Sequence, residues 1–250
     1  MKPGKIEICA NSVASCVEAQ KGGAMRVELC AGIPEGGTTP SQGTIAVTRE
    51  LLEIPIHVII RPRAGDFLYS PEEIRVIERD IAVAKDCGAD GVVIGCLTPE
   101  GEIDYRLTQR LVECANGLSV TFHRAFDMCT DPMKALEELI NLGCNRILTS
   151  GQMPTAEEGI PLLRELVEKA AGRIIILPGC GINEKNIRKI AEETGAEEFH
   201  LSAREAIQSG MIYRNPKVSM GGTVQVDEYA EPRTSAERVR LTLASLAGNK

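Results

Sequence analysis

Lys5-Ile6-Glu7-Ile8-Cys9 and Met25-Arg26-Val27-Glu28-Leu29-Cys30 open this chain with one device used twice. In each, apolar residues alternate with a glutamate and a cysteine, the two-residue period of a β-strand. Ile6, Ile8, Val27 and Leu29 are expected to face outward against helices, and Glu7, Cys9, Glu28 and Cys30 inward. Further short apolar runs follow at His57–Ile60, Gly91–Ile94, Ser119–Phe122, Arg146–Leu148, Ile174–Leu177 and Glu198–Leu201, each succeeded by a helical stretch. Eight strand–helix units in 250 residues specify an α/β TIM (β/α)8 barrel. It is expected to occupy 1–250 as one domain, with an irregular βα8 loop around 210–232 before a final helix over 234–247. Barrels of this kind place their chemistry at the C-terminal ends of the strands.

Composition agrees with that reading. The chain is 43% hydrophobic but only 3% aromatic and lacks Trp, so its core must be largely aliphatic. A net charge of −7 argues against broad binding to nucleic acid or to an anionic membrane surface. No run is long and apolar enough to span a bilayer. The first strand begins within a few residues of the start, with no basic-then-apolar signal region, so the expected location is the cytoplasm. The nine cysteines then read as thiols, an odd number in a reducing compartment.

Along the chain, Asn11 and Ser12 cap a helix that ends near Gly22-Gly23. The Gly/Pro/Thr-rich loop Ala31 to Gly43 is a candidate lid or wall, before a helix over 44–52. Arg61-Pro62-Arg63 begins a second polar loop. Ser70-Pro71-Glu72-Glu73 carries an N-cap, an N1 proline and an acidic first turn, and opens a long helix ending at Cys87-Gly88. Gly101 to Asp104 reads as a turn into a capped helix. Asp131-Pro132 starts another over 131–142. Ser202 is expected to cap a short extra helix over 203–209.

Strand alternation sends Glu7, Cys9, Glu28, Cys30, Arg61, His123, His200 and Ser202 into the barrel or its mouth, with Asp127 just beyond the fifth strand. Buried carboxylates need cationic or donor partners, and Arg61, His123 and His200 are the available ones. The set reads either as acid–base machinery, with Glu7, Glu28 or His123 moving protons, or as a polar plug that fixes barrel register. His57, at the start of its strand, reads as structural.

Cys16, Cys87, Cys114 and Cys144 lie on helices or at their ends and read as packing residues. Cys9, Cys30, Cys96, Cys129 and Cys180 fall at or beyond strand ends, where soft thiolates suit Cu(I) or zinc; the alternative is inert thiols. No Cys-x-x-Cys or His-x-x-x-His spacing decides between them. Pro178-Gly179-Cys180-Gly181, with the helix after Ser202, has the form of the phosphate cradle after strands seven and eight of many TIM barrels, to which Arg61 and Arg63 would add positive charge. The other reading of Gly179 and Gly181 is that they only make tight turns. A small anionic, phosphorylated or carboxylated metabolite is the ligand such a cradle implies.

Seven segments together resemble the CutC copper-homeostasis family: Glu7 to Cys9, Arg26 to Cys30, Glu35 to Ser41, Ile60 to Phe67, Thr121 to Asp127, Arg146 to Gly151 and Met211 to Asn215. They run in order through nearly the whole chain. The resemblance implies a TIM barrel, a cytosolic location, self-association into a homo-oligomer and a part in copper tolerance through Cu(I) binding. Carried over by motif, the copper-binding thiols would be Cys9 and Cys30. The chain departs from the family pattern at Cys180, where a small residue is usual.

Overall fold

The alternation that opens the chain decides the architecture. The computed structural model describes residues 5–218, 220 and 227–248. Its strands are β1 (Lys5–Ala10), β2 (Arg26–Leu29), β3 (Ile56–Ile59), β4 (Gly91–Ile94), β5 (Ser119–Phe122), β6 (Arg146–Thr149), β7 (Ile175–Pro178) and β8 (Glu198–Leu201). Parallel ladders run in the order β7-β6-β5-β4-β3-β2-β1-β8, and β7 and β8 touch across the remaining seam. The result is a nearly closed eight-stranded barrel.

The outer layer consists of α1 (Val13–Gly22), α2 (Gln42–Leu51), α3 (Pro71–Asp86), α4 (Tyr105–Cys114), α5 (Pro132–Asn141), α6 (Ile160–Ala170), α7 (Ile187–Thr194) and α8 (Ala236–Ala247). Their starts follow the local signals. Ser12 accepts from Ser15 N–H, Asp104 from Leu107 N–H, and Ser70 forms a complete capping box with Glu73. Gly23 ends α1 in the left-handed conformation that glycine adopts without penalty.

Ile6, Ile8, Val27, Leu29, Val58, Val92, Ile94 and Phe122 are fully buried between sheet and helices. Each such aliphatic side chain stabilises the fold by roughly 1.5–3 kcal/mol. This core is mainly aliphatic, as the scarcity of aromatics requires.

Two stretches differ from expectation: 203–209, and 230–234, where a strand replaces the end of the irregular loop and the start of the final helix. Residues 203–209 are not a helix capped by Ser202. Arg204–Gln208 is a strand, β9, paired antiparallel with β10 (Ala230–Thr234). Helix propensity in so short a segment is weak, and a ladder to a partner distant in sequence overrides it. Most of β9 is exposed, but the pair is anchored to the barrel: β10 packs against α1, and Thr234 N–H donates to Ser15 Oγ at 3.2 Å. Within the loop expected around 210–232, residues 219 and 221–226 lie outside the described residues.

Candidate functional site at the barrel mouth

Parallel register sets the inward-facing residues side by side. Glu7 is opposite Arg26 on β2 and His200 on β8, while Cys9 is opposite Glu28. The contacts follow this arrangement. His200 Nδ1–H donates to Glu7 Oε1 at 2.7 Å, and Arg26 Nε–H donates to Glu7 Oε2. Arg26 also pairs with Glu198 at 3.0 Å, and Glu198 with Arg146 at 2.8 Å. A ladder of alternating charge therefore runs from Arg146 through Glu198, Arg26 and Glu7 to His200. Buried ions are tolerated because each has a hydrogen-bonded counter-charge.

Electrostatics sort these groups. Burial by itself would raise Glu7, but the hydrogen bond from His200 and the charges of Arg26 and His200 hold its carboxyl well below the ordinary range. Burial would lower His200, yet Glu28, Cys9 and Glu7 together raise it well above the usual histidine value. Glu28 lacks an arginine partner; burial pushes it up to about 8, with Cys9 and Glu7 adding to the effect. Burial takes His57 down to about 4, assisted by Arg26 and Arg146. His123 goes down to about 3 through burial and the Arg61 charge.

Gly91, at the start of β4, and Gly95, just beyond its end, make room for two histidines. A Cβ on Gly91 would lie 2.6 Å from the His57 ring, and one on Gly95 would lie 2.4 Å from the His123 ring. His123 Nδ1 accepts from Ala125 N–H at 3.1 Å. The ring is thereby fixed as the neutral tautomer with its proton on Nε2.

Above the ladder sits a cluster of soft and borderline donors. Cys9 Sγ and Cys30 Sγ are 3.7 Å apart. Ligand atoms of Cys9, Glu28 and His200 all lie within 4.8 Å of one another. Arg204 Nη2 donates to Cys9 Sγ at 3.3 Å. The hydrogen bond with Cys30, followed by burial, raises the Cys9 thiol far above its ordinary value, so the uncomplexed thiol keeps its proton. Cys9, Glu28 and His200 of this cluster line a cavity of about 300 Å³, together with Ile59, Arg61, Phe67, His123 and Leu148.

Glu28, Arg61, His123, Asp127, His200 and Cys9 meet at this mouth. Glu7 lies beneath it, behind His200. Asp127 is committed locally, accepting from Thr149, Ser150, Gln152 and Arg124, so it clamps the loop after β6. The anion cradle expected after strands seven and eight is not brought to this cavity. Arg63 turns outward to Glu73 and Asp66. Gly179 N–H donates to Thr149 O at 2.9 Å, and a Cβ on Gly181 would lie 3.2 Å from Thr155. Ser202 precedes a strand, with no helix N-terminus to offer. Among the other thiols, Cys96 contacts Thr108 and Cys180 contacts the Pro154 carbonyl, so neither joins the cluster.

The inward list from sequence began too high in the barrel. Arg26, Arg146 and Glu198 share a face with Glu28, Leu148 and His200, and the same alternation applied one step earlier on each strand includes them. Arg204 carried no comparable signal, because its place depends on the β9–β10 pairing.

The fold and this mouth define a TIM-barrel protein with paired thiols over a buried charge ladder. The chain belongs to the CutC family: the model described as the CutC family matches residues 4–205. It is 63% identical over 247 residues to a family protein CutC of Bacteroides thetaiotaomicron, covering 98% of this chain and 99% of that one. It is 51% identical to the human copper homeostasis protein cutC homolog, covering 98% of this chain and 89% of the human one. The crystal structure of CutC from Streptococcus agalactiae superposes with a TM-score of 0.77 at 36% identity, over 80% of this chain and 98% of that one. Thiamine phosphate pyrophosphorylase from Pyrococcus furiosus shares the fold alone, at 18% identity and a TM-score of 0.60 over 98% of this chain and 96% of that one.

Proposed function

We propose that this protein serves copper homeostasis by holding Cu(I) at the barrel mouth, with the Cys9 and Cys30 thiolates as its ligands. The observation that carries this reading is the 3.7 Å approach of two thiols, Cys9 on β1 and Cys30 just beyond the end of β2. Soft sulfur donors match a soft monovalent ion. His200 supplies a borderline nitrogen close by, with Nδ1 engaged by Glu7 so that Nε2 is the nitrogen left for a metal. Arg204 offers positive charge to a thiolate at Cys9. Glu28 is a hard donor and suits Cu(I) poorly; pushed up to about 8 by burial, it stays outside the coordination in this reading.

The relatives' names support the copper assignment, and nine free cysteines are in keeping with a reducing cytosol. No helix among the described residues is long and apolar enough to cross a membrane. Met211, Ile212, Tyr213 and Met220 are exposed, which supports self-association through that segment; sedimentation velocity of the intact chain and of Ile212→Ser tests it.

X-ray absorption of protein loaded anaerobically with one equivalent of Cu(I) tests the metal assignment. Sulfur scatterers in the first coordination sphere are the expected result. A sphere of nitrogen and oxygen alone would remove the thiol pair from the site.

A further inference from the structure

The cavity over the thiols carries buried polar atoms that the copper reading does not use. Arg61 and His123 are 6% and 3% exposed. Arg61 donates through Nη1 to the Glu35 and Gly37 carbonyls at 2.8 and 2.9 Å, and through Nη2 to Gly65 at 3.0 Å. These bonds fix its guanidinium, yet its Nε has no partner among the described residues, and neither does His123 Nε2. Both are N–H donors: arginine is always charged, and His123 carries its proton on Nε2 because Nδ1 accepts from Ala125. A buried donor without an acceptor is costly.

One ring joins the two. The Arg61 guanidinium lies 5.3 Å from the Phe67 ring centre, and the His123 ring 4.9 Å from it. Both residues line one cavity. Its other surfaces include the apolar Ile59 and Leu148, and its volume of about 300 Å³ is at the lower end for small-molecule sites.

We propose that this cavity binds a small monocarboxylate with a compact apolar body, its oxygens accepting from Arg61 Nε–H and His123 Nε2–H. The charge class follows from the surroundings. Of the cations that line the cavity, Arg124 is paired with Asp127 and His200 with Glu7, which leaves Arg61, already shared with three carbonyls, and the neutral His123 donor to meet a single negative charge. The proposal stands apart from the copper reading, since neither Arg61 nor His123 belongs to the thiol cluster.

The test uses the metal-free full chain, labelled with ¹⁵N at histidine and titrated with 3-methylbutanoate. Its amide, 3-methylbutanamide, and inorganic phosphate serve as controls. The expected result is an Nε2–H signal for His123 at neutral pH that shifts saturably with the carboxylate. Binding of the amide should be weaker by about tenfold or more, for loss of the charge-assisted bond. His123→Phe, which keeps a ring beside Phe67, should weaken carboxylate binding to a similar degree. No saturable shift would mean that the cavity holds only water. Equal binding of the amide, or tighter binding of phosphate, would overturn the assigned ligand class. None of these outcomes depends on whether Cu(I) binds the thiols.

Discussion

His200 Nδ1–H donates to Glu7 Oε1 across 2.7 Å, and this bond joins the charge ladder inside the barrel to the donor cluster at its mouth. Glu7 is fully enclosed and accepts from both His200 and Arg26. Removing its charge leaves two buried cations short of a partner. Glu7→Gln should therefore destabilise the fold by about 3–5 kcal/mol, the usual cost of breaking a buried ion pair from one side. Urea denaturation measures this, and a loss below about 1 kcal/mol would mean that the ladder is not ionised. Where the variant remains folded, freeing the His200 ring should also weaken Cu(I) binding by about 10–100-fold, the range for loss of a partner that orients a metal-ligating histidine.

A second prediction concerns acid. His57 and His123 are held neutral in the fold, with values near 4 and 3, whereas the unfolded chain protonates them near 6.5. Below that point the unfolded state binds more protons, so stability falls as pH falls. Each histidine contributes about 1.4 kcal/mol per pH unit. The window runs from 6.5 down to about 4 for His57 and about 3 for His123. His200, raised by its carboxylate neighbours, acts oppositely: its contribution is complete below 6.5 and is lost as pH rises through its folded value. Denaturant midpoints between pH 6 and 4.5 should show the acid slope, reduced by one proton's worth in His123→Phe. An unchanged slope in that variant would show that His123 is not held neutral.

Much of this was legible in the sequence because a two-residue period and a strand–helix repeat are local properties. The eight strands and the inward set Glu7, Cys9, Glu28, His123 and His200 follow from them directly. Arg61 was legible as a mouth residue, but its commitment to the Glu35, Gly37 and Gly65 carbonyls depends on how two loops meet. Arg63 has the same local pattern and turns the other way, drawn by Glu73 ten residues on. The helix expected after Ser202 failed for a related reason: β9 exists only through β10, far along the chain. Gly95 gave no sequence signal as a partner of His123, since a missing Cβ has meaning only against a neighbour in space.

That close approach is itself testable. A Cβ at residue 95 would lie 2.4 Å from the His123 ring and 3.0 Å from the Ala125 Cβ. Gly95→Ala should cost about 1–3 kcal/mol, as overpacking of a filled interior does. Adding His123→Ala should recover part of that loss, giving a coupling of about 0.5–3 kcal/mol in a double-mutant cycle. Additive effects would show that the ring does not occupy the space beside Gly95.

Copper binding should depend on pH in a defined direction. The Cys9 thiol is raised by Cys30 and by burial, and a Cu(I) ligand must be a thiolate. Binding therefore releases a proton, and affinity should rise with pH, by up to about tenfold per unit for each proton released. Competition titrations at pH 6.5 and 7.5 check this. Affinity that fell or stayed level with rising pH would argue against thiolate ligation at Cys9.

The central claim is that Cys9 and Cys30 together hold Cu(I), and an anaerobic competition titration of the Cys9→Ser/Cys30→Ser double variant against a chromogenic Cu(I) chelator tests it most directly. The wild-type chain should withdraw one equivalent of Cu(I) from the chelator. Each single variant should bind more weakly, and the folded double variant should withdraw none, because a serine hydroxyl is a poor ligand for a soft ion. A double variant that competes as well as the wild type would contradict the account.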